Sequence, residues 1–287
     1  MKEITTINAA TAGTFTLAGD LPVNRMGYGA MRITGQGIWG PPKDRAEAIR
    51  VLKKAVEVGV NFIDTADSYG PDVSEEIIAE ALYPYPKDLV IATKGGFTRT
   101  GPNQWSVNGQ PKHLKAALEG SLKRLRLDTI DLYQLHRFDP QVPVEESLGV
   151  LKDAQDKGMI RHIGLSEVSI QQIEQASKLV KVVSVQNMYN YGNQRWNDVL
   201  TWCEQNQVAF IPWYPLQAGD LSAEKALKKV AEKHNASEYQ IALAWLLKAS
   251  SVTLLIPGTS SVSHLEDNVA AVNILLDEED MRLLPRK

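Results

Sequence analysis

The stretch that decides the fold is N-F-I-D-T-A-D-S-Y-G-P, residues 61–71. A short apolar run, Phe62 and Ile63, ends on Asp64. A polar segment with Gly70 and Pro71 follows and carries Tyr69. Glycine and proline mark turns, so the spacing predicts a strand over 62–66 that runs into an acid and then into a loop bearing a phenol. Upstream, residues 44–59 repeat apolar side chains at Ile49, Leu52 and Val56, with Ala48 and Ala55 on the same face, which is a helical period. Downstream, 75–82 reads as a short helix.

The same unit recurs along the chain. Further strands are expected at 25–31, 88–96, 130–136, 159–166, 182–190, 208–216 and 253–258. Helices are expected at 113–125, 144–158, 197–206, 223–234, 237–249 and 277–284. Leu114, Leu118, Leu122 and Leu125 make one apolar stripe on the first of these, and Gly158 is placed to end the second. Ser169 with Gln172, Ser237 with Gln240, and Ser263 with Glu266 have capping-box spacing, the last opening a run through Val272. Residues 15–23 read as a hairpin ahead of the first strand.

Eight strand–helix units in 287 residues, with strands that are short apolar runs, predict an α/β fold: a (β/α)8 TIM barrel with an N-terminal β-hairpin and C-terminal extra helices, one domain over 1–287. An open doubly wound sheet is the competing arrangement. Against it, no G-x-G-x-x-G follows the first strand, and Gly27 and Gly29 alone indicate only tight packing.

Composition narrows the function. The net charge of −3 and the lack of a basic run give no electrostatic case for nucleic acid or an anionic membrane. The single cysteine, Cys203, excludes an internal disulfide, fits a reducing compartment and reads as a packed helix residue. No stretch approaches the ~20 apolar residues of a membrane span, and the first residues lack the apolar core of a signal peptide. The expectation is a cytoplasmic monomer or weak homo-oligomer whose partner is a small molecule.

In such barrels chemistry belongs to the C-terminal strand ends. Those ends carry Asp64 with Tyr69 in its loop, Lys94, His136, Ser166 with Glu167, Gln186, Trp213 and Gly258. Alone, each has a bland reading: a cap, a solvated charge, a packed ring. Strands two, three and four are neighbours in a barrel, however, so Asp64, Tyr69, Lys94 and His136 converge on one mouth. A phenol with its pKa near ~10 is a poor acid at neutral pH. A nearby ammonium stabilises the phenolate, a carboxylate keeps that ammonium charged in a dry pocket, and a neutral imidazole can hold a carbonyl oxygen. The set makes a general acid aimed at a carbonyl. No metal-ligand cluster is evident in the sequence, so the hydride donor must be an organic cofactor.

These motifs, F-I-D-T-A-x-x-Y-G, T-K, L-H, G-L-S and I-P-G-T-S-S-V-x-x-L-x-x-N, resemble the aldo-keto reductase family from about residue 15 to the end. G-Y-G-A-M, W-G-P-P (39–42), E-A-L-Y-P-Y (80–85) and residues 254–265 are most similar to its bacterial pyridoxal reductase-like branch. The resemblance implies NADP(H) as cofactor, Tyr69 as proton donor, Lys94 and Asp64 as the pair that sets its pKa, and His136 as the carbonyl-orienting residue. It implies that Ser166, Glu167 and Gln186 meet the nicotinamide carboxamide and Trp213 stacks on the ring. Leu216 and Asp220 would line the channel, and Arg32 would face the pyrophosphate. Gly258, Thr259, Ser260 and His264 would take the adenosine phosphate, beside a helix N-terminus that favours anions, and Asn268 the adenine. Two departures stand out. Glu167 replaces an asparagine frequent in the family, and Gly258 and His264 replace cations at the 2′-phosphate site.

For the substrate, Trp105 in the loop over 95–111, Trp39 and Phe138 are expected to form an aromatic wall. Arg99 and Arg137 are read as solvated charges or as partners for a substrate anion. Three functions stay open at this point: NADPH-dependent carbonyl reduction, a Schiff-base aldolase or lyase working through Lys94, and a non-catalytic nucleotide-sensing subunit.

Overall fold

A computed structural model describes residues 7–216 and 225–286 of the chain. It opens with the expected hairpin, β1 (Thr14–Leu17) antiparallel to β2 (Leu21–Asn24). The parallel strands that follow are β3 (Tyr28–Gly29), β4 (Phe62–Asp64), β5 (Val90–Gly95), β8 (Ile130–Leu135), β9 (Ile160–Ser166), β10 (Val182–Gln186) and β11 (Ala209–Phe210), hydrogen-bonded in that order in one seven-stranded sheet. Between β5 and β8 lies a second hairpin, β6 (Phe97–Gly101) and β7 (Gln104–Val107).

The outer layer alternates with the strands. It consists of α1 (Arg45–Glu57), α2 (Val73–Leu82), α3 (Pro111–Leu125), α4 (Val144–Asp156), α5 (Ile170–Ser177), α6 (Asn197–Asn206), α7 (Lys225–His234), α8 (Glu238–Ala249), α9 (Val262–Ala270) and α10 (Glu278–Leu283). The capping boxes of Ser169 with Gln172 and Ser237 with Gln240 are both formed. The third is not. The helix opens at Ser261, and its first N–H, on Val262, is taken by the Glu47 carboxylate of α1 at 3.1 Å. A long-range acid thus replaces the local cap, and Glu266 reaches Lys54 instead.

The eighth strand is a correction. Residues 253–258 form no continuous strand, yet they close the barrel. Phe210 N–H donates to Val252 O and Leu254 N–H to Phe210 O, while Leu255 N–H donates to Arg25 O and Gly27 N–H to Leu255 O, all within 2.9 Å. Pro257 has no N–H and ends the ladder, as Pro212 does for β11, which stops short of the predicted 216. Gly27 belongs at this seam: a Cβ there would sit 2.7 Å from Phe62 O and 2.9 Å from Leu255 O.

Two apolar layers result. Phe62, Val90, Ala92, Leu132, Val183, Ile211 and Leu254 fill the barrel, and Leu17, Leu21 and Val23 of the hairpin join them. A larger layer lies between strands and helices. Cys203 is buried there on α6, with burial pushing its thiol up, so it packs rather than reacts. Among the described residues no helix is long and apolar enough to cross a membrane.

Candidate active site

β4, β5 and β8 run side by side, with Lys94 opposite Gln134 in register. Each strand ends by presenting one polar side chain to the mouth. Lys94 is fully buried and donates to Asp64 Oδ1 at 2.6 Å, to Thr65 O at 2.8 Å and to the Tyr69 hydroxyl at 3.4 Å. Its three N–H groups are therefore all directed. The loop that carries Tyr69 is tied down by Tyr69 N–H to Ala66 O, Asp67 N–H to Lys94 O and Ser74 N–H to Tyr69 O. The ring of His136 meets that of Tyr69 edge-on, with centroids 6.0 Å apart. Ser68 Oγ stands 3.5 Å from His136 Nδ1.

The electrostatics sort these groups into roles. Burial opposes the Lys94 charge, but Asp64 and Tyr69 outweigh it and the ammonium is held above its ordinary pKa. A lysine paired with Asp64 at 2.6 Å lacks the lowered pKa that a Schiff-base nucleophile needs, which argues against the aldolase reading. Burial pushes the Tyr69 phenol up, and Lys94 pulls it back only in part. Lys94 thus draws the phenol down as the sequence leads one to expect, but desolvation outweighs that pull. His136 is driven well below the usual imidazole range by burial and by the positive charges of Lys94 and Arg137, so it is neutral.

Reading the sequence for strand ends missed Gln134. It is buried, and its Nε2 donates to Asp64 Oδ2 at 3.0 Å beside Gln186 Nε2 at 2.8 Å. A lone amide in the apolar run of β8, two residues before His136 and so on the same face, was the available signal. Gln186 therefore spends its amide N–H groups on Asp64 and Gln134 and keeps Oε1 as an acceptor.

A cavity of about 850 Å³ joins this cluster to the other expected positions. Asp64, Tyr69, His136, Ser166, Gln186, Trp213, Leu216, Arg32, Gly258 and Ser260 all line it. Such continuity from the phenol to Gly258 fits an extended ligand such as a dinucleotide. Thr259 is buried, with its carbonyl accepting from Tyr28 Oη at 2.5 Å and its hydroxyl accepting from Ser261 N–H. Asn268 is buried and His264 exposed on α9. Asp220 lies outside the described residues. Glu167 does not line the cavity. Its carboxylate accepts from Trp213 Nε1 at 3.0 Å, from Met188 N–H and from Arg195.

The aromatic wall also differs from expectation. Trp105 lines the cavity together with Phe97, whose ring is 4.6 Å from that of His136. The Arg99 guanidinium lies over Trp105, 3.5 Å from its centroid, and 5.7 Å from that of Trp39, and Phe138 packs on the outer core. Arg99 is neither solvated nor free: it donates to the carbonyls of Gln104, Ser68, Gly37 and Gly101 and so pins three loops around the mouth.

Residues 25–286 match the model of the aldo/keto reductase family. The chain belongs to the aldo/keto reductase family. It is 51% identical over 274 residues to an uncharacterized oxidoreductase of Schizosaccharomyces pombe, covering 95% of this chain and 89% of that protein. It is 42% identical over 280 residues to pyridoxine 4-dehydrogenase of Escherichia coli, covering 96% and 98%. Among solved structures, an aldo/keto reductase of Klebsiella pneumoniae in complex with NADP and acetate superposes with a TM-score of 0.79 at 25% identity, covering 96% of each chain. As a member of this family the chain is an oxidoreductase of carbonyl groups and alcohols.

Proposed function

We propose that the chain, as one barrel domain, is an NADPH-dependent aldehyde reductase of the cytoplasm whose substrate is pyridoxal or a related aromatic aldehyde. The observation that carries the chemistry is the buried Asp64–Lys94–Tyr69 chain at 2.6 and 3.4 Å, with neutral His136 alongside. The relatives named above support the cofactor and the substrate class. Ser166, Gln186 and Trp213 would hold the nicotinamide end. Arg32 and Leu216 would flank the middle, with Asp220 a further channel candidate, and Gly258, Thr259, Ser260, His264 and Asn268 would take the phosphate and adenine end. When bound, NADPH supplies the hydride.

This chain's residues do the rest. His136, neutral, donates an N–H to the carbonyl oxygen and fixes it. Tyr69 gives that oxygen its proton as charge builds there. Lys94 stabilises the phenolate left behind, and Asp64 keeps Lys94 charged. Gln134 and Gln186 hold the second oxygen of Asp64, so the carboxylate keeps its aim. Glu167 acts at one remove, by fixing the indole of Trp213 through its N–H. The aromatic lining from Phe97, Trp105 and Trp213 favours a flat ring.

The test is steady-state NADPH oxidation with pyridoxal beside benzaldehyde. A kcat/KM for pyridoxal at least tenfold above that for benzaldehyde supports the assignment. Equal, modest rates on both leave the carbonyl chemistry and remove pyridoxal.

A further inference from the structure

Arg137 is the group at the mouth that the tetrad does not use. It follows His136 at the end of β8 and lines the cavity with Tyr69, His136 and Ser166. Its Nη1 donates to Ser166 Oγ at 2.9 Å and to the carbonyl of His136 at 2.6 Å. Its guanidinium lies 5.4 Å from the centroid of Phe97 and 5.9 Å from that of Trp213. Among the described residues, its Nε and Nη2 hydrogens meet no protein acceptor. The nearby acid, Glu167, is committed to Trp213, Met188 and Arg195. Arg99, by contrast, gives its guanidinium to four backbone carbonyls. Burial works against the Arg137 charge. A cation half-buried between two aromatic faces, with three N–H groups that no protein acceptor takes and that face the cavity, is placed to meet an anion entering it.

We propose that Arg137 is a specificity-determining residue that receives an ionised oxygen carried by the substrate beside its carbonyl, and that the preferred substrates are ortho-hydroxy aromatic aldehydes reacting as phenolates. This inference rests on the carbonyl-reductase reading above. The ring follows from the walls of Phe97, Trp105 and Trp213. The ortho position follows from Arg137 being adjacent to His136, with the single ring of Phe97 touching both. Pyridoxal has this pattern, a hydroxyl next to its formyl group. The pairing also has a chemical consequence. An ortho phenolate feeds electron density into the carbonyl and resists hydride addition, and a guanidinium on that oxygen draws the density back.

The experiment compares kcat/KM for salicylaldehyde, 4-hydroxybenzaldehyde and benzaldehyde with NADPH, in the wild type, Arg137→Met and Arg137→Lys. Ratios within each protein cancel any effect on cofactor binding through Ser166. The expected wild-type ratio of salicylaldehyde to benzaldehyde is about tenfold or more, the scale of one charge-assisted hydrogen bond, and it rises with pH as the phenol ionises. The para isomer gains nothing. Arg137→Met brings the ratio near one, and Arg137→Lys restores part of it. Benzaldehyde turnover without an ortho preference in the wild type overturns the inference and leaves the reductase reading intact. An ortho preference that survives in Arg137→Met overturns it too. Should Arg137→Met fail to fold, the wild-type comparison of ortho and para isomers and its pH dependence still decide. No turnover of any aldehyde overturns both readings.

Discussion

Tyr69 needs its neighbours to be an acid at all. Its phenol is pushed up by burial and drawn back by Lys94, so it is protonated across the neutral range. Carbonyl reduction should therefore lose rate only on the alkaline side. Lys94→Met removes the one strong pull downward, so the Tyr69 pKa rises further. The alkaline limb of the kcat profile should then move to higher pH while kcat falls by about 10²-fold or more, the range of a compromised general acid. An unchanged profile would separate Lys94 from the proton transfer. His136 is held neutral from the opposite direction, far below its ordinary range. Between pH 5 and pH 8 it should contribute no acidic limb, and a limb near pH 6.5 that disappears in His136→Gln would contradict its role as a neutral donor. At this scale the sequence was most legible, because Asp64, Lys94 and His136 stand at consecutive strand ends and Tyr69 in the loop after the first. It was least legible for Gln134 and Glu167, whose partners are set by side-chain direction rather than by position along the chain.

The elements that carry these residues are braced from below. Glu75 on α2 is fully buried and accepts from Thr93 Oγ1 on β5 at 2.5 Å and from Arg124 Nε on α3 at 2.7 Å. Arg124 also meets Asp72 at the start of α2. Arg124→Met leaves the Glu75 carboxylate uncompensated and should cost about 3–5 kcal/mol, read as a drop in the midpoint of denaturant unfolding; a loss under about 1 kcal/mol would mean that water replaces the guanidinium. At the other end of the cavity, α1 and α9 meet through Glu47, whose carboxyl is held below its ordinary range by the Val262 N–H and by Arg50. That acid occupies a helix N–H where a cofactor phosphate is expected. Glu47→Gln should tighten NADPH binding several-fold and bind NADH with little change, measured by fluorescence titration; equal effects on both cofactors would detach Glu47 from the 2′-phosphate. Helix boundaries were mostly legible, since periodicity and local capping boxes set them. The start of α9 was not, because a residue 215 positions away caps it.

The whole barrel closes through backbone contacts that apolar patterning reveals only in outline. Residues 252–255 bridge β11 and the segment before β3 with four hydrogen bonds, and prolines limit the seam to that length. Gly27 is one of its tight points, where a Cβ would meet Phe62 O at 2.7 Å and Leu255 O at 2.9 Å. Gly27→Ala should strain the seam by about 1–3 kcal/mol, as overpacking does, and lower Tm without changing the secondary structure seen by circular dichroism. An unaltered Tm would show that the seam can open to admit a methyl. The second hairpin, β6–β7, stands where the sequence reading expects a loop, although T-R-T-G-P-N-Q-W-S-V holds β-formers around a Gly-Pro-Asn turn. Its role emerges only from the assembled molecule, where Arg99 ties it to the loops after β3 and β4 and brings Trp105 to the mouth.

The central claim is that this mouth delivers a proton from Tyr69 to a carbonyl while NADPH is consumed. The most direct test is to measure NADPH oxidation by pyridoxal with wild type and Tyr69→Phe side by side, while titrating NADPH binding to each by fluorescence. The account predicts that both proteins bind NADPH alike and that kcat falls by about 10²–10⁴-fold in the variant. A Tyr69→Phe protein that turns over pyridoxal at the wild-type rate would contradict it.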